Sequence, residues 1–206
     1  MEGDPFSLIE GMAIGARAIG ADTGYIYIRS EYPHAIKTMR RAIHIMENAG
    51  WLGADIKGSG TNFNLYVRVG AGAYICGEES SMLESLEGKR GQVKVKPPIP
   101  AISGLFGKPT IVNNVLTLGS VPYILANGAK AYADFGQGRS LGTQPFQLAG
   151  DIARGGLVEK AFGVSLRDLI ETFGGGTYTG GPVKAVQAGG PLGGYIAPQD
   201  FDVAMG

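Results

Sequence analysis

Residues 63–79 read "FNLYVRVGAGAYICGEE", and no other stretch restricts the fold as much. Phe63, Leu65, Val67 and Val69 alternate with Asn64, Tyr66 and Arg68, the period-two pattern of a strand with one apolar face. The strand runs directly into a glycine-rich loop. A helix is predicted over 79–87, stopped by Gly88. A strand, a glycine loop and a helix in succession make a ligand-binding corner of an α/β fold. The spacing of Gly70, Gly72 and Gly77 is G-x-G-x-x-x-x-G. It fits neither the P-loop nor the dinucleotide fingerprint. Glu78 and Glu79 would repel a phosphate placed directly on them. At a helix N-terminus the dipole stabilises such carboxylates by about 0.3–1 kcal/mol each. Two readings stay open: the acids cap the helix, or they accept hydrogen bonds from ribose, ribityl or amide donors.

The upstream segments extend this unit. Asp4 reads as an N-cap and Pro5 as the first helical residue. Leu8, Ile9, Met12, Ala16 and Ile19 follow at helical spacing, and Gly20 closes the helix. "GYIYIRS" (24–30) is a β-rich run. A second helix opens near Pro33, with Ile36, Met39, Ile43 and Met46 on one face and Gly50 at its end. His34 and His44 are ten apart, which is not the spacing of a helical metal site. Residues 24–88 therefore predict strand, helix, strand, loop, helix. Ligands in such folds sit beyond the carboxyl ends of the strands, where 70–79 lies.

Downstream, "KVKPPIPAISGLFGKP" (94–109) has four prolines and reads as extended surface chain. Residues 110–128 are mainly helical with a break at Pro122, and a short helix is expected at 129–135. "GQGRSLG" (136–142) marks the expected boundary between a domain over 1–140 and another over 143–206. In the second, "PFQLAGD" and "GGLVEKAFG" predict a hairpin. Ser165 caps a helix with Leu166, Leu169, Ile170 and Phe173 on one face, and 182–190 is a third strand. Two strands, a helix and a strand describe a β-grasp module.

Composition narrows the function. The 35 glycines are about twice the usual share. They fall in groups between apolar segments, as in loops that turn sharply or approach a ligand. The 18 basic and 18 acidic residues leave no net charge to recruit nucleic acid or an anionic membrane. No apolar run reaches the roughly 18–20 residues of a membrane span. The N-terminal residues lack the basic start and apolar core of a signal peptide, so a cytoplasmic protein is expected. One cysteine, Cys76, rules out an intrachain disulfide and a cysteine-ligated zinc or iron–sulfur site within these residues. No metal site is expected.

The remaining polar candidates are Asn113–Asn114, which suit a flavin edge, a phosphate or a helix cap, and Lys96, restrained between Val95 and Pro97. Cys76 has no basic neighbour to activate it, and no serine or cysteine nucleophile is paired with histidine. Hydride transfer needs none of these groups, because the cofactor carries the chemistry.

"GAGAYICGEESSMLESLEGKRGQVKVKPPIPA", "GLFGKPTIVNNV" and the terminal β-grasp segment together closely resemble the flavin- and NADH-binding subunit of respiratory complex I, NAD-reducing hydrogenases and NAD-dependent formate dehydrogenases. The resemblance covers essentially all 206 residues. The variants "KPPIPA" and "NNVLTL" are most similar to the formate dehydrogenase beta subunit. The resemblance implies a Rossmann-like α/β domain binding FMN, followed by a β-grasp domain. It also implies hydride exchange between NAD(H) and FMN, and single electrons passing to iron–sulfur clusters of partner subunits. It assigns Tyr74, Gly77, Glu78 and Glu79 to the cofactor loop, with Glu79 near the nicotinamide nucleotide and the one catalytic candidate. It assigns Val112, Asn113, Asn114 and Thr117 to a second flavin segment, and Lys96 to the nucleotide.

Some family features differ or are missing. Ile99 stands where many members carry an aromatic residue that stacks on adenine, and Leu116 where an acid is common. Loops of the type GRGGAGFPTG and NADEGEPG would precede Met1, so the N-terminal part of the FMN domain is expected to be missing. A domain with SCGxCxPCR, which binds a [4Fe–4S] cluster, would follow Gly206. The chain thus resembles the middle of a longer subunit, and one alternative is a non-catalytic fragment unable to hold FMN.

Overall fold

A computed structural model describes residues 1–206. The chain divides into two compact units, Met1–Tyr123 and Ile124–Gly206. The division falls earlier than the glycine-rich stretch 136–142 on which the sequence reading puts the boundary.

The first unit begins with α1 (Pro5–Ile19). Asp4 accepts the Ser7 N–H at 3.1 Å, and Gly20 ends the helix in the left-handed region at φ 73°. Only glycine adopts that conformation without a Cβ penalty. Strand β1 (Thr23–Arg29) follows, then α2 (Pro33–Asn48), then β2 (Asn64–Gly70). β1 and β2 are parallel, in register from Thr23 opposite Asn64 to Arg29 opposite Gly70. A parallel pair needs a crossover, and α2 supplies it. The core joins Leu8 and Ile9 of α1, Ile26 and Ile28 of β1, Met39 and Ile43 of α2, and Phe63 and Leu65 beside and in β2. This is the α/β unit expected for 24–88. The alternation of 63–69 holds at Phe63 and Leu65, which are buried, and fades at Val69, which is exposed at the strand's end.

Gly70 closes β2 for a steric reason. A Cβ there would lie 2.6 Å from the Tyr27 hydroxyl of β1. The space allows Tyr27 to cross the strand end and reach Ser85 Oγ at 2.9 Å. Ser85 lies on α3 (Glu79–Leu86), so this bond ties the sheet to the helix after the loop. Burial raises the Tyr27 phenol above its ordinary range, so it stays a neutral hydrogen-bonding group.

Chain 94–110 folds over α3. It includes two cis peptide bonds, Lys96–Pro97 and Pro97–Pro98. A tight turn at Leu105–Gly107 follows, with Phe106 at φ 53°. The Phe106 N–H is held by Glu87 Oε1 at 2.8 Å. Helix α4 (Val115–Asn127) carries Pro122 within it, and the first unit ends inside this helix.

The second unit contains α5 (Ala129–Ala133) and a minimal hairpin of β3 (Gly136–Gln137) and β4 (Ser140–Leu141). This hairpin occupies the glycine-rich stretch 136–142 that the sequence reading makes the domain boundary. A longer antiparallel hairpin joins β5 (Thr143–Leu148) and β6 (Gly156–Ala161). Ser165 caps α6 (Leu166–Asp168), accepting the Asp168 N–H at 3.0 Å, and the helix continues as a wide π turn, Leu169–Phe173. Leu166, Ile170 and Phe201 form this unit's core. The hairpin and helix match the expectation. The predicted third strand, 182–190, shortens to β7 (Val186–Gln187), which pairs with β8 (Tyr195–Ile196) instead of with β5 or β6. Glycines at 180, 181, 189 and 190 flank this run, and glycine weakens a ladder through entropy and lack of packing.

Candidate functional site

The loop between β2 and α3 contains a single tight turn, Tyr74–Gly77. Its side chains diverge. Cys76 is buried, 3.8 Å from Ser81 Oγ, and Tyr74 is 88% exposed. Glu78 turns back onto its own helix. Its Oε2 accepts the Ser81 N–H at 2.9 Å and the Ser80 hydroxyl at 2.6 Å. This is an N-cap made by a glutamate, so the capping reading describes Glu78. The hydrogen bond from Ser80, then that from the Ser81 backbone, lower its carboxyl from the usual 4.5 to about 2.

Glu79 points elsewhere. It pairs with Lys96, whose ammonium also lies 3.4 Å from Glu78 Oε1. The contact with Glu79 is the main reason the Lys96 ammonium titrates above its ordinary range. Glu79 also lines an open cleft of about 410 Å³ together with Ile99, Thr110, Ile111, Val112 and Asn113. The Asn113 amide has no hydrogen-bond partner in the protein, so its donors and acceptor are available to a ligand. A second cavity of about 470 Å³ is lined by Ser80, Lys94, Lys96 and Phe106 among others. Thus the structure gathers Glu79, Val112 and Asn113 in one cleft and joins Lys96 to it through Glu79.

The other predicted residues stand apart from the cleft. Tyr74 and Gly77 are exposed on the loop, outside its lining. Asn114 accepts the Leu116 N–H at 2.8 Å, which makes it a local cap at the start of α4. Thr117 is exposed one turn further on. Sequence reasoning overlooked Thr110, Ile111 and Ser80. The first two lie within the quoted "GLFGKPTIVNNV", so the motif contained them although no role was given to them. Ser80 gives no cue, because burial of a serine in a charged stretch is decided by what folds over it.

The low Glu78 pKa predicts a window of acid sensitivity. A carboxyl depressed in the folded state contributes stability above its unfolded pKa and loses it as pH falls through the folded value. The stability gap between wild type and Glu78→Gln should therefore be full above about pH 4.5 and vanish toward pH 2. Thermal melts across pH 2–7 will check it. A gap that stays constant with pH would refute the assignment.

A parallel strand pair with its crossover helix, followed at the carboxyl end of β2 by a glycine-rich loop and a helix, is an α/β arrangement that places ligands beyond the strand ends. Residues 1–123 match the model of the Nuo51 FMN-binding domain. The chain belongs to that family. It is 51% identical over 205 residues to the NADP-reducing hydrogenase subunit HndC of Solidesulfovibrio fructosivorans, covering all of this chain and 42% of that protein. It is 49% identical to an NADH-quinone oxidoreductase subunit of Rhizobium meliloti (strain 1021), over all of this chain and 49% of that protein. The corresponding NADH-quinone oxidoreductase subunit of Escherichia coli (strain K12) is 44% identical, over all of this chain and 46% of its own length. A crystal structure of an NAD⁺-reducing [NiFe]-hydrogenase in the H2-reduced state superposes with a TM-score of 0.84 at 37% identity. It covers 98% of this chain and 34% of the hydrogenase chain. The chain therefore spans less than half the length of these relatives. No helix is long and apolar enough to cross a membrane.

The family's FMN suits the groups found here. The free Asn113 amide offers the donors and acceptor that a flavin edge requires, and the Glu79 carboxylate accepts from hydroxyl or amide donors.

Proposed function

We propose that the chain is part of an FMN-dependent NAD(H) oxidoreductase subunit that exchanges hydride between NAD(H) and FMN and passes single electrons to iron–sulfur clusters of partner subunits. The observation that carries this reading is the cleft of Glu79, Val112 and Asn113 in a chain of the Nuo51 FMN-binding family. FMN, when bound, supplies the two-electron to one-electron conversion.

The chain's own residues bind and orient. Asn113 holds a flavin edge, with Val112 supplying apolar contact beside it. Glu79 would accept from the nicotinamide nucleotide and is the catalytic candidate. Lys96, released from Glu79 by the incoming ligand, neutralises the nucleotide's phosphates. Glu78 shapes the loop by capping α3, and Tyr74, Gly77, Asn114 and Thr117 complete the cofactor's surroundings once the rest of the parent subunit is present. The parent works in the cytoplasm with NAD(H) and iron–sulfur electron-transfer subunits, including its own [4Fe–4S] domain. It needs neither nucleic acid nor direct membrane insertion.

Two narrower assignments have separate support. "KPPIPA" and "NNVLTL" favour an NAD-dependent formate dehydrogenase. The 51% identity to HndC, a hydrogenase component, favours the hydrogenase arm, with complex I the third member of the set.

The test is reduction of an artificial acceptor by NADH, with flavin content measured, in the parent subunit and in residues 1–206. The parent is expected to bind FMN and turn over. Flavin bound without turnover in the parent would sink the proposal. If residues 1–206 take up no FMN while the parent does, the chain alone is a non-catalytic fragment of that enzyme.

A further inference from the structure

The backbone that carries Lys96 is fastened to α3 at three points. The Lys94 N–H donates to Ser80 Oγ at 2.9 Å, and the Ser80 hydroxyl donates onward to Glu78 Oε2 at 2.6 Å. The Lys94 ammonium pairs with Glu84, and the Lys96 ammonium pairs with Glu79 and Glu78. Lys94 and Lys96 are two residues apart, and both ammonium groups pair with acids of the loop and helix. Fixing the backbone at 94 therefore sets where the Lys96 ammonium can reach.

The three fastenings are unequal. The two ion pairs order long, partly exposed side chains, and such pairs hold position weakly. Ser80 is only 5% exposed and has one short rotor. Its hydroxyl is satisfied on both sides, as donor and as acceptor, which leaves it one orientation. It is the rigid link between the helix N-terminus and the 94–96 chain.

We infer that Ser80 is a positioning residue: its hydroxyl relays the Lys94 N–H to the Glu78 carboxylate and thereby places the Lys96 ammonium at Glu79, on the wall of the cleft. Only the ligand named in the test below rests on the proposed NAD(H) function. The relay stands on hydrogen bonds alone. The charged groups around it are Glu78, Glu79, Glu84, Glu87 and Lys89 of the loop, helix and its end, and Lys94 and Lys96 of the chain folded over them.

The experiment compares wild type, Ser80→Ala, Ser80→Cys and Ser80→Thr in residues 1–206, labelled with 13C and 15N. Three quantities are read by NMR and titration: the Glu78 carboxyl midpoint, the exchange rate of the Lys96 ammonium, and NADH affinity. Ser80→Ala is expected to raise the Glu78 midpoint from about 2 toward 4.5. It is also expected to speed Lys96 exchange and to weaken NADH about tenfold. Ser80→Thr, which keeps the hydroxyl, is expected to stay near wild type. Ser80→Cys keeps the volume with a poor donor and acceptor, so it should follow alanine, and it decides the matter if Ser80→Ala does not fold. An unmoved Glu78 midpoint and Lys96 exchange in Ser80→Ala or Ser80→Cys overturns the inference. So does a threonine variant as impaired as alanine, because bulk and not the hydroxyl would then matter. If wild type binds no NADH, the functional reading fails in this chain, while the two NMR readouts still decide the role of Ser80.

Discussion

Gly11→Ala is expected to destabilise the first unit by about 2–3 kcal/mol, the scale of an overpacked core. Gly11 is buried on α1, and a Cβ built there would lie 1.9 Å from the Leu118 carbonyl oxygen and 2.8 Å from its carbon. Both atoms belong to the backbone of α4. A flexible side chain could swing aside, but a helix carbonyl moves only with its helix. Relief therefore requires α1 and α4 to separate, which opens the packing of Leu118 and Val115 against the core. The substitution also carries an opposing gain, since alanine is better than glycine within a helix by about 1 kcal/mol.

Gly15 provides the control. It lies one turn along α1, and its added Cβ would meet only Leu118 Cδ2 at 3.7 Å, an ordinary contact. Gly15→Ala should be neutral or stabilising by up to about 1 kcal/mol. Thermal melts of the two variants should differ by on the order of 10 °C. Equal melting temperatures would mean that the helices do not approach as closely as described.

Ile99→Phe should tighten NADH binding about tenfold. Ile99 is 49% exposed and lines the cleft with Glu79, Val112 and Asn113. An aliphatic side chain gives a base dispersion contact but no π face. Stacking a base on an aromatic ring contributes about 1–3 kcal/mol. Part of that is already supplied by isoleucine, which leaves a net gain of roughly 1.4 kcal/mol, or tenfold. Half-exposure leaves room for the larger ring without strain on the core. Ile102→Phe serves as control, since Ile102 is exposed but is not part of the cleft lining. It should leave affinity unchanged. Titration of NADH fluorescence on the folded variants measures both. No gain for Ile99→Phe, with measurable wild-type binding, would remove adenine from this part of the cleft.

The ordered pair Glu78–Glu79 shows how much of the site was legible. Their place at the start of α3 followed from the alternation of 63–69, the glycines after it and the stop at Gly88. Their division of labour did not. One carboxylate caps the helix and the other faces the cleft, because only Glu78 has the extended backbone of an N-cap residue. Asn113 and Asn114 divide in the same way. One is free at the cleft and the other holds the Leu116 N–H. Adjacent identical residues carry no sequence signal that tells them apart.

The second unit shows the opposite limit. The runs "PFQLAGD" and "GGLVEKAFG" and the cap at Ser165 were enough for its hairpin and helix, since short strands that neighbour in sequence and a serine cap are local. The partner of 186–187 was not readable, because short glycine-flanked strands have weak register preferences. Pairing with 195–196 was decided by the chain's return path.

What the sequence determined by itself is therefore the local and periodic part. It set the α/β order of elements, the caps at Asp4 and Ser165, the glycine loop at the carboxyl end of β2, and the family to which these motifs belong. Only the tertiary structure decided which charges meet. Lys96 lies 17 residues from Glu79 and pairs with it because Ser80, hidden under the 94–96 chain, fastens that chain to the helix. Periodicity reports which face of an element is apolar. It holds no information about which distant segment will cover a polar face, and that covering builds the cleft.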